Sequence, residues 1–264
     1  MKRALTLVLC LAAFACASGV TFNRVQPLGQ KSAYKMQNNM KAEAMSLSID
    51  RGTRSSEVSM SAILETDVTD SQPNGNWTLT NRITQVETKV NGKDEPEASR
   101  LLTDKPFSIT YDQEGKIVNV TGAENIVQGI NIEQMFSQLS PTEMLPSKYV
   151  KVGDSWPFEI TSSGQGNFTQ TIKGVGTMTA LDGDEAAMEF DFIIQLSMEG
   201  NQDMSLTGTG KGKTTARYDT DKARFIYNKS DVTIETTGKV SFGEKSESVK
   251  NTLTTSIQVD LVNK

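Results

Sequence analysis

The segment Gly208-Thr209-Gly210-Lys211-Gly212-Lys213-Thr214 has the residue types of a phosphate loop, in which backbone N–H groups and a lysine cradle a nucleotide. Its spacing is wrong. A phosphate loop places four residues between its outer glycines, whereas only Thr209, Gly210 and Lys211 separate Gly208 from Gly212. No apolar parallel-strand run precedes it, so the segment reads as part of an alternating strand. Asp182-Gly183-Asp184-Glu185 and Asp219-Thr220-Asp221 offer hard oxygen ligands, but neither brings the remaining ligands of a calcium loop, and both read as solvated turns. Carboxylates for glycoside hydrolysis are plentiful among 32 acidic residues, and no pattern singles out a pair. The chain contains no histidine and two cysteines, Cys10 and Cys16. Histidine-dependent triads, histidine metal sites, zinc ribbons and Cys–His nucleophiles are excluded, and no serine sits in a Gly-x-Ser-x-Gly elbow. The expectation is a protein that is not an enzyme and that carries no cofactor or metal.

Chemistry being sparse, the address says more. Met1-Lys2-Arg3 is a positive start, and the twelve residues Ala4 to Ala15 are apolar apart from Thr6. Such a run is too short to span a bilayer and suits the core of a secretory signal, placed here at residues 1–17. Ala13-Phe14-Ala15 and Ala15-Cys16-Ala17 both fit ordinary signal peptidase, which releases a soluble periplasmic or extracellular protein. The alternative is lipidation of Cys16, which makes a membrane-anchored lipoprotein with residues 18–32 as a flexible tether. After cleavage no stretch approaches the roughly twenty apolar residues of a transmembrane helix. Losing Lys2 and Arg3 leaves 25 of 27 basic residues against 32 acidic ones, a net charge of −7 without a basic patch. Nucleic acid is therefore an unsuitable partner.

The body of the chain alternates with period two. Ala186, Met188, Phe190, Phe192, Ile194, Leu196 and Met198 share one parity, opposite Glu189, Asp191, Gln195 and Glu199. Side chains alternate across a strand, so one face is apolar and the other wet. Val58 to Leu64 and Leu253 to Leu261 repeat the pattern, and Asn74-Gly75, Asn91-Gly92, Gln113-Glu114-Gly115 and Asp182-Gly183 supply turns. The pattern predicts a mainly β fold: a curved antiparallel sheet, half-barrel or sandwich. Residues 34–49 read as a strand with a bulge near Ala44-Met45. A helix is expected from about Ala123 to Leu139, followed by a capping box at Ser140-Pro141-Thr142-Glu143, the 123–145 segment covering an open end or the concave face. One β-rich domain, 33–264, follows, with possible related halves 33–145 and 146–264. Tyr111-Asp112 and Tyr218-Asp219 each end a strand before a polar turn, which suggests a duplicated unit.

Glycines give the second half its shape. Gly208, Gly210 and Gly212 share parity with Met204, Leu206 and Ala216, so side chains are missing from an apolar face. Glycine inside a strand marks a bend or a close approach. Two readings follow. In one, Met188, Phe190, Phe192, Ile194 and Leu196 with Gly208, Gly210 and Gly212 line an apolar groove for a lipid or other apolar small molecule. In the other, the bulky side chains fill that space, and the protein is a cell-envelope structural module that meets a protein partner through its polar strand faces.

The run Met144-Leu145-Pro146 with Tyr149-Val150-Lys151-Val152-Gly153-Asp154-Ser155-Trp156 resembles a signature of uncharacterised exported bacterial proteins, a domain of unknown function with "LP…V-x-V-G-D-x-W" between two β-rich halves. Tyr34-Lys35-Met36 and Asp112-x-x-Gly115-Lys116-Ile117 fit the same likeness, which covers residues 30–264. It implies an exported β-rich domain and no catalytic residues. Read physically, Val150 and Val152 alternate into a strand, Gly153-Asp154 turns it, and Trp156 is expected to pack one end of the core. The expected shape is also similar to that of periplasmic lipoprotein carriers, in which a curved sheet with a helical cover holds acyl chains.

Overall fold

The computed structural model describes residues 19–46, 53–122, 142–164, 168–199, 204–242 and 245–262. Long strands dominate it: β2 (Lys31–Ser46), β3 (Thr53–Ser71), β4 (Trp77–Val90), β9 (Ser155–Gly164), β10 (Phe168–Asp182), β11 (Glu185–Glu199), β12 (Met204–Asp219), β13 (Arg224–Phe242) and β14 (Lys245–Leu261). Shorter ones are β1 (Gly19–Val20), β5 (Lys93–Asp94), β6 (Pro106–Tyr111), β7 (Ile117–Thr121) and β8 (Val150–Lys151). All but β1 and β8 form one open antiparallel sheet in the order β7-β6-β4-β3-β2-β14-β13-β12-β11-β10-β9, with β5 on β4. Two meanders, β2–β7 and β9–β14, are thus joined side by side through β14 and β2, which pair from Val249↔Ser46 to Leu261↔Tyr34.

The turns sit where the sequence signals place them. Gly75, Gly92, Gly115 and Gly183 all take positive φ, and Asn91 joins Gly92 there at φ 51°. Two consecutive left-handed residues twist a hairpin loop in the same sense as its strands. Asp112 Oδ1 accepts the Glu114 and Lys116 N–H groups, and Asp219 Oδ1 accepts that of Lys222. Both Tyr-Asp motifs therefore close a hairpin by the same side-chain device, each on the fourth long-path strand of its meander, β6 and β12. Strand β2 runs as expected, but without a bulge at Ala44-Met45, which pair in register on both sides. The bulges fall instead between Ser61 and Ile63, Val68 and Asp70, Thr110 and Tyr111, Met178 and Ala180, and Arg217 and Tyr218.

One face of the sheet carries both apolar cores. Trp156, Phe158, Met178, Met188, Phe190, Phe192 and Tyr218 belong to the first, and Met36, Leu64, Val68, Trp77, Ile83, Phe107, Ile109 and Tyr111 to the second. The chain before β2 closes the first. Phe22 is 6% exposed against Trp156 and Tyr218, Arg24 Nη2 donates to the Leu145 carbonyl, and the Tyr218 hydroxyl donates to Asn23 O. Burying one phenylalanine contributes about 2 kcal/mol. Residues 19–30 are accordingly held in place, which corrects the expectation of a free tether: β1 pairs with β8, and an apolar side chain in an otherwise polar stretch docks into the core.

The helix expected over 123–139 lies outside the described residues, as do Cys16 and the rest of 1–17. Thr142–Met144 form a 3₁₀ turn where a short helix was expected. The helix observed, α1 (Pro96–Leu102), was not anticipated. Pro96 occupies its first turn, where a missing N–H costs nothing, and the Ser99 hydroxyl receives the Thr88 N–H of the neighbouring strand.

Candidate functional site

The register of the sheet brings the groove residues singled out in the sequence into facing pairs: Phe192↔Gly212, Ile194↔Gly210 and Leu196↔Gly208. Met188 (1% exposed), Phe190 (0%), Phe192 (8%) and Ile194 (3%) lie in the first core, and Leu196 is half-buried. Space above the glycines is taken by neighbours. A Cβ on Gly212 would strike the Phe192 ring, one on Gly210 would come within 2.8 Å of Ile234 Cγ1, and one on Gly208 within 3.0 Å of Leu196 Cδ1. Gly176 and Gly174 do the same for Trp156 and Phe158. Each bulky side chain lies across a glycine of the adjacent strand. Trp156 is further fixed by its Nε1, which donates to the Met144 carbonyl at 2.7 Å.

Following the register along the strands, away from this packed end, exposes a gradient. The row Ala42–Leu253–Ile234–Gly210–Ile194–Ile172–Ile160 crosses seven strands, and it is buried at Ile194, Ile172 and Ile160 but half-exposed from Ala42 to Gly210. Farther along, Val249, Leu206, Met198 and Phe168 form another apolar row, each half-exposed. On the β2–β7 meander, Met40, Val58 and Met60 continue this surface. The sequence periodicity identified these positions as inward-facing. It carried no signal for which of them would remain uncovered.

A polar strip runs down the middle of the same face. Thr214 and Ser230 hydroxyls are 2.7 Å apart, the Ser230 hydroxyl donates to Asn228 Oδ1 at 3.4 Å, and the Thr255 hydroxyl donates to Asn38 Oδ1 at 3.1 Å. These residues divide the two apolar cores and satisfy one another, as buried hydroxyls and amides must. The opposite face is wet, laced by pairs such as Lys173–Glu159 and Lys213–Glu189. Over β10–β14 that outer face is dished into a depression of about 680 Å³, with exposed Val175 and Ile193 among Lys173, Lys211, Asp191 and Asp231. Charges of both signs alternate around it.

The segment Gly208–Thr214 is continuous strand within β12, and Asp182–Glu185 and Asp219–Asp221 are hairpin turns. Among the described residues no group of three or more His, Cys, Asp or Glu side chains is placed to hold a metal. Burial is what perturbs the ionisable side chains near the cores, and it raises the Tyr34, Tyr111 and Tyr218 hydroxyls above their ordinary pKa, so all three stay protonated. No helix among the described residues is long and apolar enough to cross a membrane.

No protein-family model matches the sequence, and no curated protein matches it. Among solved structures, the chain is similar to lipovitellin, in a study of its lipid–protein interactions, with TM-score 0.48 and 14% identity over 90% of this chain. It spans 25% of that lipovitellin chain. OccK11 (OpdR) of Pseudomonas aeruginosa gives TM-score 0.25 and 5% identity, over 92% of this chain and 100% of that one. A mutant Rh. blastica porin gives 0.20 and 10%, over 88% and 100%. What the protein does has therefore to be read from its own sheet.

Proposed function

We propose that this is an exported, non-catalytic protein that holds a lipid or other apolar ligand against the inner face of its curved sheet. One observation carries the reading: the apolar rows of the inner face extend past the packed cores as half-exposed Ile234, Leu253, Leu206, Met198 and Phe168. Isolated exposed apolar residues are ordinary on protein surfaces, but contiguous ones arranged on a single face mark an interaction surface. The glycines contribute by thinning β12 at Gly208 and Gly210, so that Leu196 and Ile234 of the neighbouring strands close over it and supply the floor of this region. Export rests on the basic start and apolar run of residues 1–15.

The test is native mass spectrometry of protein purified from its source, together with uptake of a fluorescent fatty acid. The expected result is a copurifying apolar molecule, or saturable uptake that Leu206→Asp and Ile234→Asp abolish. Protein that arrives empty and takes up no probe would sink the reading. In that case the filled glycine spaces beneath Phe192 and Trp156 favour the second reading, a structural or interaction module of the cell envelope with a packed core.

A further inference from the structure

A second feature lies at the packed end, between the two cores. There a cavity of about 50 Å³ is walled by Arg224, Tyr34, Asn81 and Thr66 on its polar side and by Leu64 and Val259 on its apolar side. A buried water needs roughly 10–15 Å³ of such space, so the cavity holds about four waters or one small polyatomic ion.

Arg224 is the unusual wall. It is 5% exposed, and its Nη1 donates to the Ser32 hydroxyl at 2.9 Å. Its Nε is buried and has no hydrogen-bond acceptor among the described residues. The carboxylate nearest to that nitrogen, Asp219 Oδ2, stands 4.0 Å away and is shared with Lys222 Nζ at 3.8 Å. One carboxylate thus faces two cations, and it is already turned towards the hairpin by accepting the Lys222 N–H on its other oxygen. Among the described residues no carboxylate lines the cavity itself. Its other polar walls include donors: the Tyr34 hydroxyl and the Asn81 amide, whose Nδ2 donates to Leu79 O at 3.1 Å. A guanidinium withdrawn from water and left with an open N–H carries a desolvation cost that an anion would offset, and its planar edge matches a carboxylate.

We propose that the Arg224 cavity binds a free small oxyanion of carboxylate size. The site is independent of the apolar-ligand reading: Ile234 lies ten residues along β13 from Arg224, roughly 33 Å of strand, so a ligand on the half-exposed rows does not bring its head here. The experiment uses the full chain and needs no variant for its first arm: thermal unfolding is followed in sodium acetate and in acetamide at matched ionic strength. Acetate should raise the midpoint saturably where acetamide does not. In the second arm, Arg224→Gln should remove the gain, with Arg224→Lys restoring part of it. Should Arg224→Gln fail to fold, the acetate–acetamide difference in the natural chain decides alone. If acetate and acetamide are indistinguishable, or if a folded Arg224→Gln keeps the whole gain, the inference is overturned.

Discussion

Both meanders carry register shifts, and what separates them is glycine. In β2, β3, β4, β6 and β7 there is no glycine, and three register shifts do the bending, at Ser61/Ile63, Val68/Asp70 and Thr110/Tyr111. A bulge adds a residue to one strand and increases its local twist, leaving every side chain in place to pack. In β9–β13 two register shifts, at Met178/Ala180 and Arg217/Tyr218, are joined by a second device: Gly174, Gly176, Gly208, Gly210, Gly212 and Gly238 remove side chains from the inner face, and rings or branched chains of adjacent strands fold over them. The first solution keeps a conventional aliphatic core around stacked Trp77 and Tyr111, with ring centroids 4.7 Å apart. The second builds an aromatic core of edge-on rings, Trp156 and Phe158 each against Phe190 at 80° and 81°. Glycine and ring are complementary there, so neither can change alone.

The largest expected effect tests that interlock. Gly212→Ala places a methyl against the Phe192 ring and should cost about 2 kcal/mol, as overpacking of a rigid core does. Phe192→Leu in the same chain should recover part of it, so a double-mutant cycle by denaturant unfolding should give a coupling well outside error. Additive single effects would mean that the ring is free to move aside, and the contrast between the meanders would collapse.

Next in size is a comparison of the two tryptophans, 4% and 1% exposed. Trp156 donates to Met144 O, whereas Trp77 Nε1 is buried without a hydrogen-bond partner among the described residues. Trp156→Phe orphans a carbonyl and should lose about 1–2 kcal/mol more than Trp77→Phe, which removes an N–H that was already unsatisfied. Equal losses in urea titrations would show that ring volume alone matters at both sites.

The smallest effect is one the two halves share. Tyr111 and Tyr218 are buried in different cores, and burial raises both above the ordinary tyrosine pKa of 10.0. A folded-state pKa above the unfolded one gives stability that is complete below pH 10 and declines as pH rises beyond it. Stability should therefore be insensitive to these groups at neutral pH and fall by about 1 kcal/mol per tyrosine one unit above pH 10. Tyr111→Phe and Tyr218→Phe should each flatten the alkaline limb by a similar amount. An alkaline limb unchanged in both would mean that each hydroxyl ionises as readily in the folded chain as in the unfolded one, so that burial does not raise its pKa.

Much of this architecture was legible in the residues themselves. Alternation from Ala186 to Met198 and the Asn-Gly and Asp-Gly pairs specified strands, their faces and their hairpins, because the two-residue period and positive-φ turns are local properties of the chain. The misses have local causes too. Helix α1 is short and starts from a single proline signal, and Phe22 is one apolar residue in a polar stretch, too little for any periodicity to show. The groove residues were identified by parity alone, and parity places a side chain on a face without saying what lies above it.

That last distinction separates sequence from tertiary structure here. The chain by itself determined an antiparallel β protein with an apolar face, glycine-thinned in its second half, and no histidine chemistry. Only the tertiary structure decided that β14 joins β2, that Phe192 and Trp156 lie over the glycines, and that Ile234 and Leu206 stay half-exposed. It also set Arg224 beside Ser32, 192 positions away, with its Nε facing no acceptor among the described residues. Strand register and turns are fixed by neighbours in the chain, whereas burial and polar satisfaction depend on which distant strands meet, a choice made by the summed packing of the whole sheet.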